Sequence, residues 1–150
     1  MYKHILISTD GSKLALKGGR AGVGLARSLG ARVTAVYVAP VYLPPMYSEA
    51  MIYAVPGGVS AKVWKQQIAA VSAKALGAIE REARKAGVPF AGTCVTDAQP
   101  WAGILRAART RRCDAIAMAS HGRGGIGGLL LGSETARVLA HSKIPVIVIR

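Results

Sequence analysis

A chain of 150 residues that is 51% apolar but only 5% aromatic carries 20 Lys and Arg against 7 Asp and Glu, a formal charge of +13. That length and apolar fraction predict one folded domain, residues 1–150, and exclude a disordered tail. No apolar run reaches the ~20 residues of a membrane helix, the opening lacks the h-region of a signal peptide, and Cys94 and Cys113 show no CxxC spacing, so they read as buried free thiols in a cytoplasmic protein.

Strand-like and helix-like segments alternate along the chain. Lys3–Thr9 reads as a buried strand, and Asp10-Gly11-Ser12 as a turn with helix-capping chemistry. Residues 13–29 place Leu14, Ala15, Gly18, Ala21, Gly22, Leu25 and Ala26 on one helical stripe, stopped by Gly30. Arg32–Val38 is a second strand. Residues 39–59 contain Pro40, Pro44, Pro45, Pro56, Gly57 and Gly58, which forbid a regular element. A loop of that length is either a binding loop or a surface excursion packing its own side chains. Ser60–Ala86 reads as a long helix ended by Gly87, and Phe90–Val95 as a third strand. Pro100–Thr110 is a helix with proline in its first turn. Asp114–Ala119 is a fourth strand, Ser133–Ala140 a short helix and Ile144–Ile149 a last strand.

This alternation predicts an α/β fold, a single doubly wound, Rossmann-like domain with a five-stranded, mainly parallel sheet flanked by helices on both faces. Ligands of such sheets bind at the carboxyl ends of the strands where the strand order reverses. That rule selects Ser8-Thr9-Asp10 after the first strand and Ser120-His121-Gly122 after the fourth. The basic residues are spread along the chain, and their densest group, Arg106, Arg109, Arg111 and Arg112, fits a solvated helix face. No aromatic residues interleave with it, which argues against a base-stacking platform and against nucleic acid as the partner.

Ser120 to Thr135, SHGRGGIGGLLLGSET, holds six glycines in sixteen residues between a strand and a helix. Unpaired N–H groups at a helix start carry partial positive charge and suit a phosphate. Gly132 would let the backbone approach its oxygens, Ser133 and Thr135 could add hydroxyl donors, and His121 and Arg123 could reach the same charge. The rivals are a plain helix cap at Ser133, a linker, which Leu129-Leu130-Leu131 argues against, and a dinucleotide fingerprint. Gly122-Arg-Gly124-Gly-Ile-Gly127 satisfies G-x-G-x-x-G but lacks the following strand-end acid.

The same run resembles the universal stress protein (UspA-like) family, whose ATP-binding members carry G-x2-G-x9-G-[ST]. Gly122, Gly132 and Ser133 match that spacing, and Ala119 stands at the first glycine. The resemblance extends through YKHILISTDGS, VTAVYV and VLAHSKIPVIVIR, nearly the whole chain. It implies that Asp10 sits near adenine and ribose, with Ser8 and Thr9 in the same crevice. Val38 would offer its backbone to the adenine edge, and Met118 and Ala119 would contact the nucleoside. His121, Gly122 and Arg123 would approach the phosphates, and Gly132, Ser133, Glu134 and Thr135 would hold the phosphate end. It also implies ATP, with Mg²⁺ held through the phosphates, and a homodimer that pairs strand 144–149 across a two-fold axis. The non-binding alternatives for these residues are a turn for Asp10, strand core for Met118 and Val38, and plain surface for His121.

Catalysis needs a positioned base or nucleophile, and no catalytic residue is assigned. His4, His121 and His141 stand apart from one another, so no metal site is assigned either. The expectation is a nucleotide-binding stress-response switch, open to slow ATP hydrolysis, in which bound ATP orders residues 39–59 and shifts a dimer surface. The alternatives are a family member that acts through its dimer surface without nucleotide, and a basic protein that binds polyanions.

Overall fold

Apolar runs bounded by glycine turns build the elements β1 (His4–Ser8), α1 (Lys13–Leu29), β2 (Arg32–Ala39), α2 (Ala61–Ala86), β3 (Phe90–Thr96), α3 (Pro100–Thr110), β4 (Ala115–Ala119), α4 (Ser133–His141) and β5 (Val146–Ile149). The computed structural model describes residues 1–44, 59–120 and 131–150. The expected binding loop therefore lies mostly outside the described residues, as do His121, Gly122 and Arg123. Among the described residues no helix is long and apolar enough to cross a membrane.

The strands form one sheet in the order β3-β2-β1-β4-β5, with every pairing parallel. The chain runs outward from β1 to β3 on one side, then returns to lay β4 and β5 on the other. The strand order therefore reverses between β1 and β4. Side-chain alternation sends Ile5, Ile7, Ala115 and Ala117 to one face, where α1 and α2 cover them with Val23, Ala26, Ile79 and Ala83. Leu6, Val36, Ile116 and Met118 face the other way, under Ile104 and Ala107 of α3 and Val138 of α4.

Local chemistry fixes the ends. Ser12 caps α1 by accepting the Ala15 N–H at 3.1 Å, and Ser60 caps α2 by accepting that of Val63 at 3.3 Å. Gly30 and Gly87 end these helices in the left-handed conformation, at φ of 63° and 67°. The last strand is shorter than its apolar run. Pro145 has no N–H for the ladder, so the strand's pairing with β4 begins at Val146, with only the Pro145 carbonyl accepting the Ile116 N–H at 2.9 Å.

One expectation needs correction. Cys113 is buried, and burial pushes its thiol pKa up to about 11, but Cys94 is exposed. It lies on β3, an edge strand that the helices cover only in part, so the sheet is not fully sandwiched there. The basic cluster on and just after α3 is solvated as expected, and two of its members reach back to β3. Arg106 donates to the Thr96 carbonyl at 2.7 Å and pairs with Asp97 at 3.2 Å, and Arg111 donates to the Thr93 hydroxyl at 3.1 Å.

At the amino ends of the strands, His4 is 7% exposed, with Nε2 bonded to the Thr34 hydroxyl at 2.8 Å and Nδ1 unpartnered. Burial, helped by the Arg32 charge, holds its pKa below the ordinary 6.5, against the pull of Asp114. The folded state thus favours neutral His4 and binds fewer protons than the unfolded chain. Stability should be intact above about pH 6.5 and fall as pH drops from there through the lower folded value. Denaturant titrations across pH 4.5–8 should show this decline, and His4→Gln should flatten it. Burial works to raise the Asp114 pKa, but the N–H groups of Lys3 and His4 outweigh it and hold that carboxyl low. Its own loss of stability begins only below about pH 4, outside that range.

Candidate functional site

The reversal between β1 and β4 brings together segments that are more than a hundred residues apart in sequence. Ile7 lies opposite Ala117 in the β1–β4 ladder, so Thr9 continues level with Ala119. Ser8 lies opposite Val36, so Asp10 continues level with Val38. The carboxyl ends of β1, β2 and β4 therefore lie side by side, with Ser8, Thr9, Asp10, Val38, Met118 and Ala119 at or just beyond them, where sheets of this class form their ligand crevice.

The turn after β1 is tightly organised. The Thr9 N–H donates to the Val36 carbonyl at 3.0 Å, and the Thr9 hydroxyl accepts the Gly11 N–H at 3.2 Å. An Asp10 carboxylate oxygen accepts the Ser12 N–H at 2.9 Å. Gly11 has φ of 79°, which favours glycine. Asp10 thus supports the turn. Its turn role was one of the two readings of this residue.

The start of α4 is stapled to the end of β4. The Gly132 N–H donates to the Ser120 carbonyl at 2.8 Å, and the buried Thr135 hydroxyl donates to the Ala119 carbonyl at 3.1 Å. Ser120 in turn donates its N–H to Ile149 at 2.8 Å. These bonds hold the amino end of α4 at the crevice. The cap position is Gly132, not Ser133, and it supplies no side-chain hydrogen bond. Ser133 is instead the first helical residue and is exposed. The plain side-chain cap at Ser133 is therefore not what the structure forms, because a cap must precede the first helical residue.

Gly132 has φ of −58° and ψ of 146°, a conformation open to any residue. Backbone freedom does not require glycine there. What glycine provides is the absence of a side chain beside the first N–H groups of α4.

The remaining residues divide by what their side chains touch. Met118 is 5% exposed and lies in the apolar cluster under α3 and α4, with Val38 packed against that cluster. Both are strand core by side chain, and only their backbones and edges are available at the crevice. The Thr135 hydroxyl is committed to Ala119. Glu134 turns its carboxylate to α3, accepting the Trp101 N–H at 2.8 Å. Gln99, the cap residue of α3, forms no side-chain cap bond, so Glu134 supplies that function from another helix. This directs the Glu134 carboxylate towards α3 and makes the residue a link between two helix starts.

Ala119 is 7% exposed, and its methyl faces α1. A Cβ on Gly18 would stand 3.1 Å from the Ala119 nitrogen and 3.2 Å from its Cβ. Gly18 makes the room that the Ala119 methyl occupies. The departure from glycine at this strand end is thus absorbed on the α1 side. Sequence reasoning missed this pairing. Its visible signal was the glycine at position 18 on the apolar stripe of α1. It also missed Ser120 as the hub of the β4–α4–β5 staple and Trp101 as the partner of Glu134.

The family model described as the universal stress protein family matches residues 1–150. A universal stress protein from Thermus aquaticus is 30% identical over 154 residues, spanning all of both chains. Among solved structures, a universal stress protein in complex with cAMP superposes with a TM-score of 0.71 at 22% identity, covering 99% of this chain and 97% of that one. The Archaeoglobus fulgidus universal stress protein in complex with dAMP gives a TM-score of 0.60 at 20% identity, covering 99% and 98%.

Proposed function

The chain belongs to the universal stress protein family, and from that premise we propose that it binds an adenine nucleotide, ATP, in the crevice between β1 and β4. The observation that carries this reading is the start of α4. A nine-residue helix begins at the crevice with a glycine cap, no side-chain cap bond, and a backbone conformation that needs no glycine. Unpaired N–H groups and the positive end of the helix dipole suit phosphate oxygens. Two solved relatives of the same fold hold cAMP and dAMP, which agrees with an adenine nucleotide as the ligand.

In this reading Gly132 and Ser133 receive the phosphate end, while Glu134 and Thr135 hold α4 in place for it. Asp10, on its tight turn, faces the ribose and adenine with Ser8 and Thr9. The Val38 backbone borders the adenine edge, and Met118 and Ala119 floor the nucleoside. His121, Gly122 and Arg123 belong to the same motif and are assigned to the phosphates. Mg²⁺ would be carried by the phosphates and water, which needs few protein ligands. We read the role as that of a stress-response switch rather than a fast enzyme. β5 lies at the edge of the sheet with its side chains half-buried. An uncovered apolar edge strand favours pairing with another chain, and a homodimer through residues 144–149 would provide it.

Displacement of a fluorescent ATP analogue tests the ligand class. ATP should displace it at far lower concentration than GTP or inorganic tripolyphosphate. Equal displacement by all three would mean that the +13 charge attracts anions without reading the base, and the reading would fail.

A further inference from the structure

A second concave site lies on the face of the sheet that α1 and α2 cover, between α2 and the β2–β3 edge. It arises from a mismatch in length. α2 has 26 residues, about 39 Å at the helical rise, against about 23 Å for the seven-residue β3. The buried residues of α2 begin only at Ser72. The preceding turns, from which Ile68 reaches the Tyr37 and Ala39 cluster of β2, border a groove of about 640 Å³ over the sheet edge, a volume within the ordinary ~300–1,000 Å³ of small-molecule sites.

The groove has a direction. Ala61, Trp64, Ile68, Ala69 and Leu76 recur at helical spacing along one side of it, a run of about 22 Å. Ala39 and Cys94 form part of the opposite wall, and the Tyr42 and Trp64 rings stand 6.1 Å apart, tilted at 45°, at the α2 start. Among the described residues, the charged one in its lining is Lys65, and no acid is among them. The first turn of α2 has no acidic residue either, so the cationic end is the end near Lys65.

We propose that this groove binds an elongated amphiphile with one anionic head, of the medium-chain carboxylate class. The apolar body lies along α2 between Trp64 and Leu76, and the carboxylate meets Lys65. An uncharged chain of the same length lacks the ion pair, and a compact polar anion lacks the apolar wall.

Cys94 supplies a built-in reporter, because it lines the groove and is exposed while Cys113 is buried. A disulfide reagent such as Ellman's should therefore label Cys94 first. Decanoate at about ten times its Kd should slow that labelling roughly tenfold. Decanol should protect much more weakly, Lys65→Ala should remove the difference between the two, and Ala69→Trp should abolish protection by filling the groove. An unchanged labelling rate at saturating decanoate would overturn the proposal. So would equal protection by decanol, or protection that survives Ala69→Trp. Lys65 is exposed, so its variant keeps the test decisive should Ala69→Trp fail to fold.

Discussion

Gly18→Val should lower the unfolding free energy by about 3 kcal/mol and the melting temperature by roughly 6–12 °C. Gly24→Ala, six residues further along the same helix, should instead raise stability by about 0.5–1 kcal/mol. The opposite signs come from what each glycine faces. A Cβ at Gly24 meets nothing within 4 Å, so alanine there only reduces the freedom of the unfolded chain. A Cβ at Gly18 would lie 3.1 Å from the backbone nitrogen of Ala119 and 3.3 Å from its Cα. Those atoms belong to a central strand paired on both sides, and they cannot give way as a side-chain tip can. Valine adds two further methyl groups to that contact, and α1 must lift from the sheet. The milder Gly18→Ala should be partly relieved by Ala119→Gly, which removes the facing methyl at 3.2 Å. Chemical denaturation of the two single variants and the double variant gives the coupling, expected to exceed about 0.5 kcal/mol. Additive effects would mean that Gly18 and Ala119 do not share this space.

The fold was largely legible because local and global signals agree. The α1 stripe, its Ser12 start and its Gly30 stop all mark the same seventeen residues, and the helix spans Lys13–Leu29 as read. The same holds for α3, opened by Pro100. The meeting of Thr9 and Ala119 follows from the parallel sheet that alternating elements favour and from a strand order that sets β1 beside β4. Side-chain commitments were less legible. Glu134 reads as a first-turn acid of α4, but its carboxylate serves α3, thirty-three residues away in sequence. Thr135 reads as a phosphate donor, but its hydroxyl is turned to Ala119. Cys94 reads as core because its neighbours are apolar, and only its place on an edge strand exposes it. Each miss depends on a tertiary neighbour that no local pattern encodes.

The claim that α4 presents a phosphate site depends on Gly132, and calorimetric titration with ATP and Mg²⁺ at low and moderate salt tests it most directly. Gly132→Val suits the test because its φ and ψ accept valine, so the variant should fold with an unchanged melting temperature. The side chain would stand over the helix start and remove phosphate contacts worth about 3 kcal/mol, weakening ATP roughly a hundredfold. Saturable binding by the unaltered chain that persists at moderate salt, together with its loss in Gly132→Val, is the result this account predicts. Binding that is equal in both proteins and vanishes as salt is raised would contradict it.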